Sequence, residues 1–190
     1  VVTYRFVRPP TTSLMIIRTV GTWAVSGRVE QTWSWVPLNL VPRSVQQVVV
    51  AAEDARFMSH WGIDLPSIRH ALRGAGKKQR VRGASTITMQ TVKNLFLWPG
   101  RSYIRKLLEG AMAPVVNLIW GKRRTLELYL NIVEWGEGIY GIEAASQKYF
   151  HHSVAELNVR EASVLAAILP NPRRLSPHNL SASARWRVDR

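Results

Sequence analysis

The chain has 190 residues, 46% hydrophobic and 20% charged, which is enough apolar content for a core and too much for a disordered chain. It contains no cysteine, which excludes disulfide scaffolds, thiol nucleophiles and thiolate metal sites. Lys and Arg outnumber Asp and Glu by 26 to 12, and the net charge of +14 favours an anionic partner: nucleic acid, an anionic membrane surface or a phosphorylated substrate.

In chain order, Pro9 to Ser13 reads as an extended or turn segment. Gln31 to Pro42 is uncharged and reads as a loop or short strand carrying Trp33 and Trp35. Ser44 with Gln47 makes a capping-box pattern, and Val45, Val48, Val49 and Ala52 recur at helical spacing. This helix delivers Glu53 and Asp54 at its end. Asp64-Leu65-Pro66 starts another helix, with Gly74 as its stop. Gly74 to Gly83 has three glycines and four basic residues, the composition of a mobile basic loop. Ser85 is placed to cap a helix running to about Leu95. Ser102 is placed to cap a longer one from Tyr103 to Trp120, kinked at Pro114 and ended by Gly121. Residues 123–131 form the next helix. Trp135 to Gly138 reads as a turn, Ile139 to Tyr149 as a helix, and Arg160 to Leu169 as a further helix stopped by Pro170-Asn171-Pro172. Alternating strand patterns are scarce, so the class is mainly α, and the length fits one domain over residues 1–190. No uncharged apolar run approaches the roughly eighteen residues of a membrane span. The start at Val1 rather than Met points to a processed or excised piece whose anchor lies upstream.

The charge is unevenly spread. Residues 69–124 hold thirteen basic side chains and one acid, Glu109, so this stretch carries nearly the whole excess. A solubilising surface mixes its signs, and a built anion site does not. Glu109 stands four residues after Arg105 and three after Lys106, on one helix face. That spacing fits either a surface ion pair or a carboxylate held within a phosphate-binding cluster. Ser85 and Thr86 open a helix, where free N–H groups and hydroxyls bind anions, and Lys93 follows two turns on. With Arg101 and Lys106 they are suited to holding a pyrophosphate by charge-assisted bonds. His60 has no second ligand at helical spacing, so no metal site is expected, and no ligand cluster demands a cofactor or a divalent cation.

Several segments resemble the motifs of the peptidoglycan glycosyltransferases. Glu53-Asp54-Ala55-Arg56-Phe57-Met58-Ser59-His60-Trp61-Gly62 is similar to the first, and Gly83-Ala84-Ser85-Thr86-Ile87-Thr88-Met89-Gln90-Thr91-Val92-Lys93-Asn94 to the second. Arg105-Lys106-Leu107-Leu108-Glu109 resembles the third, and Lys122 to Asn131 the fourth. Gly138 to Ala145 and Glu161 to Pro172 also fit, so the matches run in family order from about residue 4 to residue 178. Tyr4-Arg5-Phe6-Val7 with Pro9-Pro10, and no penicillin-binding domain, resemble the monofunctional branch of that family. Two motif positions depart from it: Met89 replaces a glutamine, and Thr125 stands where an apolar residue is usual. The family's amino-terminal transmembrane helix is a third departure.

The resemblance implies a lysozyme-like helical fold with a head lobe and a smaller membrane-facing jaw. It implies polymerisation of lipid II into glycan strands by inverting transfer, with release of undecaprenyl pyrophosphate. By motif position Glu53 matches the general base and Glu109 the second catalytic glutamate, while Ser85, Thr86, Gln90, Lys93, Asn94, Arg101, Arg105 and Lys106 match substrate-holding positions. The implied partners are lipid II, the growing glycan strand, the membrane surface and cell-wall synthesis or division proteins, not nucleic acid. The implied location is the bacterial inner membrane, periplasmic side. Trp23, Trp33, Trp35, Leu38, Leu40, Val41, Trp98 and Pro99 suit either a lipid approach or core packing. The rival readings are a lysozyme-like lytic enzyme, which shares the helix-borne glutamate, and a basic helical nucleic-acid binder, which draws on charge alone.

Overall fold

The computed structural model describes residues 1–74, 85–100 and 102–188. Within them the chain forms α1 (Ser13–Ser26), β1 (Thr32–Trp33), α2 (Arg43–Glu53), α3 (Leu65–Gly74), α4 (Ile87–Phe96) and α5 (Tyr103–Ile132), then β2 (Glu134–Gly136), β3 (Ile139–Tyr140), α6 (Ile142–Phe150), α7 (Val159–Ile168) and α8 (Ala182–Val188). The expected mainly α class holds. The strands make one small sheet in the order β1-β3-β2, with β1 parallel and β2 antiparallel to β3.

Two apolar cores organise the helices. The larger joins α2, α6 and α7 through Val45, Val49, Ile142, Leu165 and Ile168, with Leu130 of α5 reaching in. The smaller lies between α4 and α5, where Val92 and Leu95 meet Val116, Trp120, Leu128 and Ile132. Helix α5 serves both, because Leu128 and Leu130 leave it on different sides.

Several sequence expectations are corrected by local physics. Helix α2 begins at Arg43, one residue before Ser44, and its Pro42 cap makes no side-chain bond; the Pro42 carbonyl starts the ladder by accepting from Gln46 N–H. Helix α4 is capped by Thr86 rather than Ser85: the Thr86 hydroxyl accepts from Met89 N–H at 3.1 Å. Ser102 does cap α5. The break in α5 comes at Gly121, in left-handed backbone at φ 69°, while Pro114 keeps helical torsions. Thr125 is fully buried there and donates to the Gly121 carbonyl at 2.8 Å, so the polar residue at an apolar position supports the break. Ile139 and Tyr140 pair as a strand before α6 starts, because Gly136 and Gly138 fold the chain into a hairpin. Helices α1 and α8 are additional to the expected set. The expected basic loop at Gly74–Gly83 falls almost wholly on residues 75–84, outside the described residues, as does Arg101.

The fourth motif acts as a clamp. Asn131 accepts from Val36 N–H at 2.7 Å and donates to Val36 O and Glu127 O at 2.8 Å. Glu127 accepts from Leu38 N–H, and Trp33 Nε1 donates to Asn131 O. These bonds tie the irregular 33–38 segment to α5.

Candidate active site

Asp54, at the carboxyl end of α2, sets the site's frame. Its carboxylate is buried and accepts from Ile87 N–H, the first residue of α4, at 3.0 Å. It also accepts from His60 Nε2 at 2.9 and 3.0 Å. His60 Nδ1 in turn accepts from Gly62 N–H at 3.1 Å, which assigns the proton to Nε2. Thr86 donates to Gly62 O at 2.6 Å. The loop after Glu53 is therefore stitched to the start of α4 on both sides. Gly62 has φ +90°, and a Cβ there would lie 2.4 Å from Ala113 O, so glycine lets this loop sit against α5.

Glu53, the last residue of α2, is thereby held beside α4. Its carboxylate accepts from Gln90 Nε2 at 2.9 Å, and Gln90 Oε1 accepts from Tyr129 OH at 3.4 Å. Burial, with the Glu53 and Asp54 charges nearby, raises the Tyr129 phenol well above its ordinary value, so it stays a donor. Gln90, Lys93 and Asn94 line a cleft of about 310 Å³ whose other walls include Arg105, Glu134 and Asn171. Burial pulls the Lys93 ammonium down and the Arg105 charge adds to this, while Glu53 and Glu134 act to keep it protonated.

Glu109 lies on α5 and is 2% exposed. It ion-pairs with Arg105 and, at 2.9 Å, with Lys106, whose Nζ also donates to Ser85 Oγ at 2.6 Å. The exposed surface pair is thus excluded for Glu109: its carboxylate is a buried anchor for two cations. Burial, then the Arg105 and Lys93 charges, pull Lys106 down to about 8.

Glu53, Gln90 and Lys93 form one linked set, with Asn94 and Arg105 on the same cleft, and Ser85, Lys106 and Glu109 form a second set joined to it through Arg105. Thr86 differs. It is 2% exposed and its hydroxyl is used by the Gly62 and Met89 bonds, so it builds the frame rather than meeting a ligand. The basic stretch is also divided. Lys122 bonds the His60 carbonyl and stands 4.7 Å from the Phe57 ring centre. Arg124 bonds Glu127 and the carbonyls of Tyr4 and Val7. Neither adds to an anion site, because long basic side chains also satisfy buried carbonyls. The tryptophans split likewise: Trp23 and Trp98 are exposed, whereas Trp35 packs against the α4–α5 core, Trp33 packs on a small cluster of Leu14, Met15 and Tyr140, and Leu38 and Val41 are buried.

Reading motifs alone misses Arg18 and Glu134. They form an ion pair at 3.4 Å on the cleft's far wall, and burial raises the Glu134 carboxyl against the pull of Arg18. Arg18 sits on a helix that has no signal in the motifs. Among the described residues no group of three or more His, Asp or Glu side chains is placed to hold a metal ion.

A glutamate at a helix end, bonded to a glutamine on the wall of a cationic cleft, in a mainly α fold with one small sheet, defines a carbohydrate-active enzyme of the lysozyme-like class. The transglycosylase family model matches residues 20–190, and the chain belongs to that family. It is 48% identical over 184 residues to the biosynthetic peptidoglycan transglycosylase of Shewanella frigidimarina, covering 97% of this chain and 77% of that protein. It is 46% identical to the protein of the same name from Stutzerimonas stutzeri, over 90% of this chain and 71% of that one. The Bdellovibrio bacteriovorus protein of that name is 48% identical, over 92% and 70%.

Proposed function

We propose that the chain is a peptidoglycan glycosyltransferase that polymerises lipid II, and that Glu53 is its general base. Family membership and the relatives' shared name support the class of reaction. The observation that carries the chemical reading is the Glu53–Gln90 bond, which ties the carboxylate to the same helix face that presents Lys93 to the cleft.

Glu53 removes the proton from the 4-hydroxyl of the acceptor's N-acetylglucosamine. That oxygen attacks the anomeric carbon of the growing strand's terminal sugar, and undecaprenyl pyrophosphate departs with the bonding pair. General base assistance is worth about 10²–10⁴-fold. The larger demand is the negative charge that grows on the leaving group, and preorganised cations answer it. Lys93, Arg105 and Lys106 are the described cations for this role. Glu109 acts through two of them, fixing Arg105 and Lys106 in place. A glycosidase needs an acid to protonate a poor alcohol leaving group, whereas a pyrophosphate is already a good leaving group, so cations can replace much of that acid function. The cationic wall therefore favours a synthase over a lytic enzyme.

Peptidoglycan synthesis takes place outside the cytoplasm, and we place the domain on the periplasmic face of the inner membrane. Among the described residues no helix is long and apolar enough to cross a membrane. Exposed apolar side chains support surface contact: Ile16, Val20 and Trp23 on α1, and Tyr103, Ile104 and Leu107 in the first turns of α5, beside Lys106. Glu53→Gln is expected to abolish polymerisation of labelled lipid II in detergent while the thermal transition stays within a few degrees. Turnover by the folded variant within about tenfold of the parent would remove Glu53 as base.

A further inference from the structure

Glu53 changes its hydrogen-bonding character when it acts as a base. As a carboxylate it only accepts; once it has taken up a proton it also donates. Gln90 beside it offers both kinds of group, because a half-turn of its amide exchanges Oε1 and Nε2. With Nε2 toward Glu53 the amide stabilises the carboxylate. With Oε1 toward Glu53 it would accept from the protonated acid and stabilise that form instead. The direction of the amide therefore governs how readily Glu53 stays ionised.

The far end of the amide is held from the core. Gln90 Nε2 donates to Glu53 Oε2 at 2.9 Å, and Gln90 Oε1 accepts from Tyr129 OH at 3.4 Å, a long bond. Tyr129 is fully buried in the larger core, and its hydroxyl has no other partner among the described residues. Burial, then the Glu53 and Asp54 charges, raise the phenol well above its ordinary value, so it keeps its proton wherever a carboxylate titrates. A turned amide would leave that buried O–H without an acceptor, and buried donors are nearly always paired. A phenylalanine ring would impose no such preference.

We propose that Tyr129 is a positioning residue for the reaction: its hydroxyl fixes the Gln90 amide with Nε2 toward Glu53 and so keeps the base ionised. The inference rests on the reading of Glu53 as the base. The other charged groups around Glu53 are Asp54 beside it, Lys93 from α4 and, through Asp54, His60 and Lys122. Tyr129→Phe leaves each of them in place, and the substrate's own groups titrate alike in both proteins.

The test is the pH profile of kcat/KM for lipid II polymerisation in detergent between about pH 5 and 9, whose acid limb reports the base of the free enzyme. Tyr129→Phe is expected to move that limb up by about half to one pH unit, a loss of about three- to tenfold on the acid side. In a Gln90→Met background the same substitution moves the limb no further, since no amide is left to turn. A limb at the parent's position in folded Tyr129→Phe, a profile lowered evenly at every pH, or a further shift in the Gln90→Met background overturns the role. The parent alone gives a second reading should the variant fail to fold. Its Gln90 side-chain amide protons, assigned in heteronuclear NMR by their loss in Gln90→Met, are expected to titrate with the midpoint of the limb; protons indifferent to pH there overturn the role as well. Full turnover by Glu53→Gln sinks the assignment of the base instead, and is scored separately.

Discussion

Asp54→Asn isolates the frame from the chemistry. The Asp54 carboxylate accepts from Ile87 N–H at 3.0 Å with the same oxygen that takes His60 Nε2 at 2.9 Å, while its other oxygen takes His60 at 3.0 Å. An asparagine has one acceptor oxygen, and its amide must then face either the Ile87 N–H or the His60 N–H, donor against donor. Moving the imidazole proton to Nδ1 would relieve His60 but lose the bond from Gly62 N–H. One buried donor stays unpaired in every arrangement, at about 1–3 kcal/mol, and the remaining bonds lose their ionic character at about 1 kcal/mol. The expected loss is about 2–4 kcal/mol, or a Tm drop of about 5–15 °C for a chain of this size. Thermal unfolding followed by circular dichroism reads it. Activity falls as well, by about 10²-fold, because a loosened α2 end misplaces Glu53 relative to Gln90. His60→Phe combined with Asp54→Asn costs less than the two singly, since both remove one bond. A Tm within about 2 °C of the parent, or full additivity in the double variant, refutes the frame.

Other predictions follow from the same geometry. Lys106 is a cation below about 8 and loses its proton as pH rises through that value, so KM for lipid II should rise between about pH 7 and 9 while Lys106→Arg flattens the profile; a parallel rise in the arginine variant would assign the titration elsewhere. Gly62→Ala meets the Ala113 carbonyl in left-handed backbone and is expected to cost more than about 2 kcal/mol in urea unfolding; a neutral result would mean that the loop is free of α5. Lys93→Ala is expected to lower kcat/KM for lipid II about 10²–10³-fold, the worth of one preorganised stabilising group, and unchanged steady-state kinetics would place the pyrophosphate elsewhere.

Much of the architecture was legible because helices announce themselves locally. The Val45–Val49 repeat and the Asp64 and Ser102 caps all fall where the helices do. Gly121 likewise ends a stretch because only glycine adopts its backbone at low cost. Glu53 and Glu109 stood out by position and by isolation in a basic stretch, and the second proved to be a buried double anchor. The cap of α4 slipped from Ser85 to Thr86 because either hydroxyl serves as a cap by sequence. Only the contact with Gly62 O and the bond from Lys106 decide which one is used for what.

What the sequence determined by itself is the helices from α2 to α7, the family motifs and the charge excess, all properties of near neighbours along the chain. The tertiary structure alone decided which cations face the cleft. Lys122 and Arg124 belong to the same basic run as Lys93, Arg105 and Lys106, yet they are spent on backbone carbonyls of His60, Tyr4 and Val7. It also decided that Arg18 and Glu134, 116 positions apart in sequence, share a wall. The reason is physical: a side chain's charge and shape are written at its own position, but its partner is chosen by packing between distant segments, which no local pattern encodes.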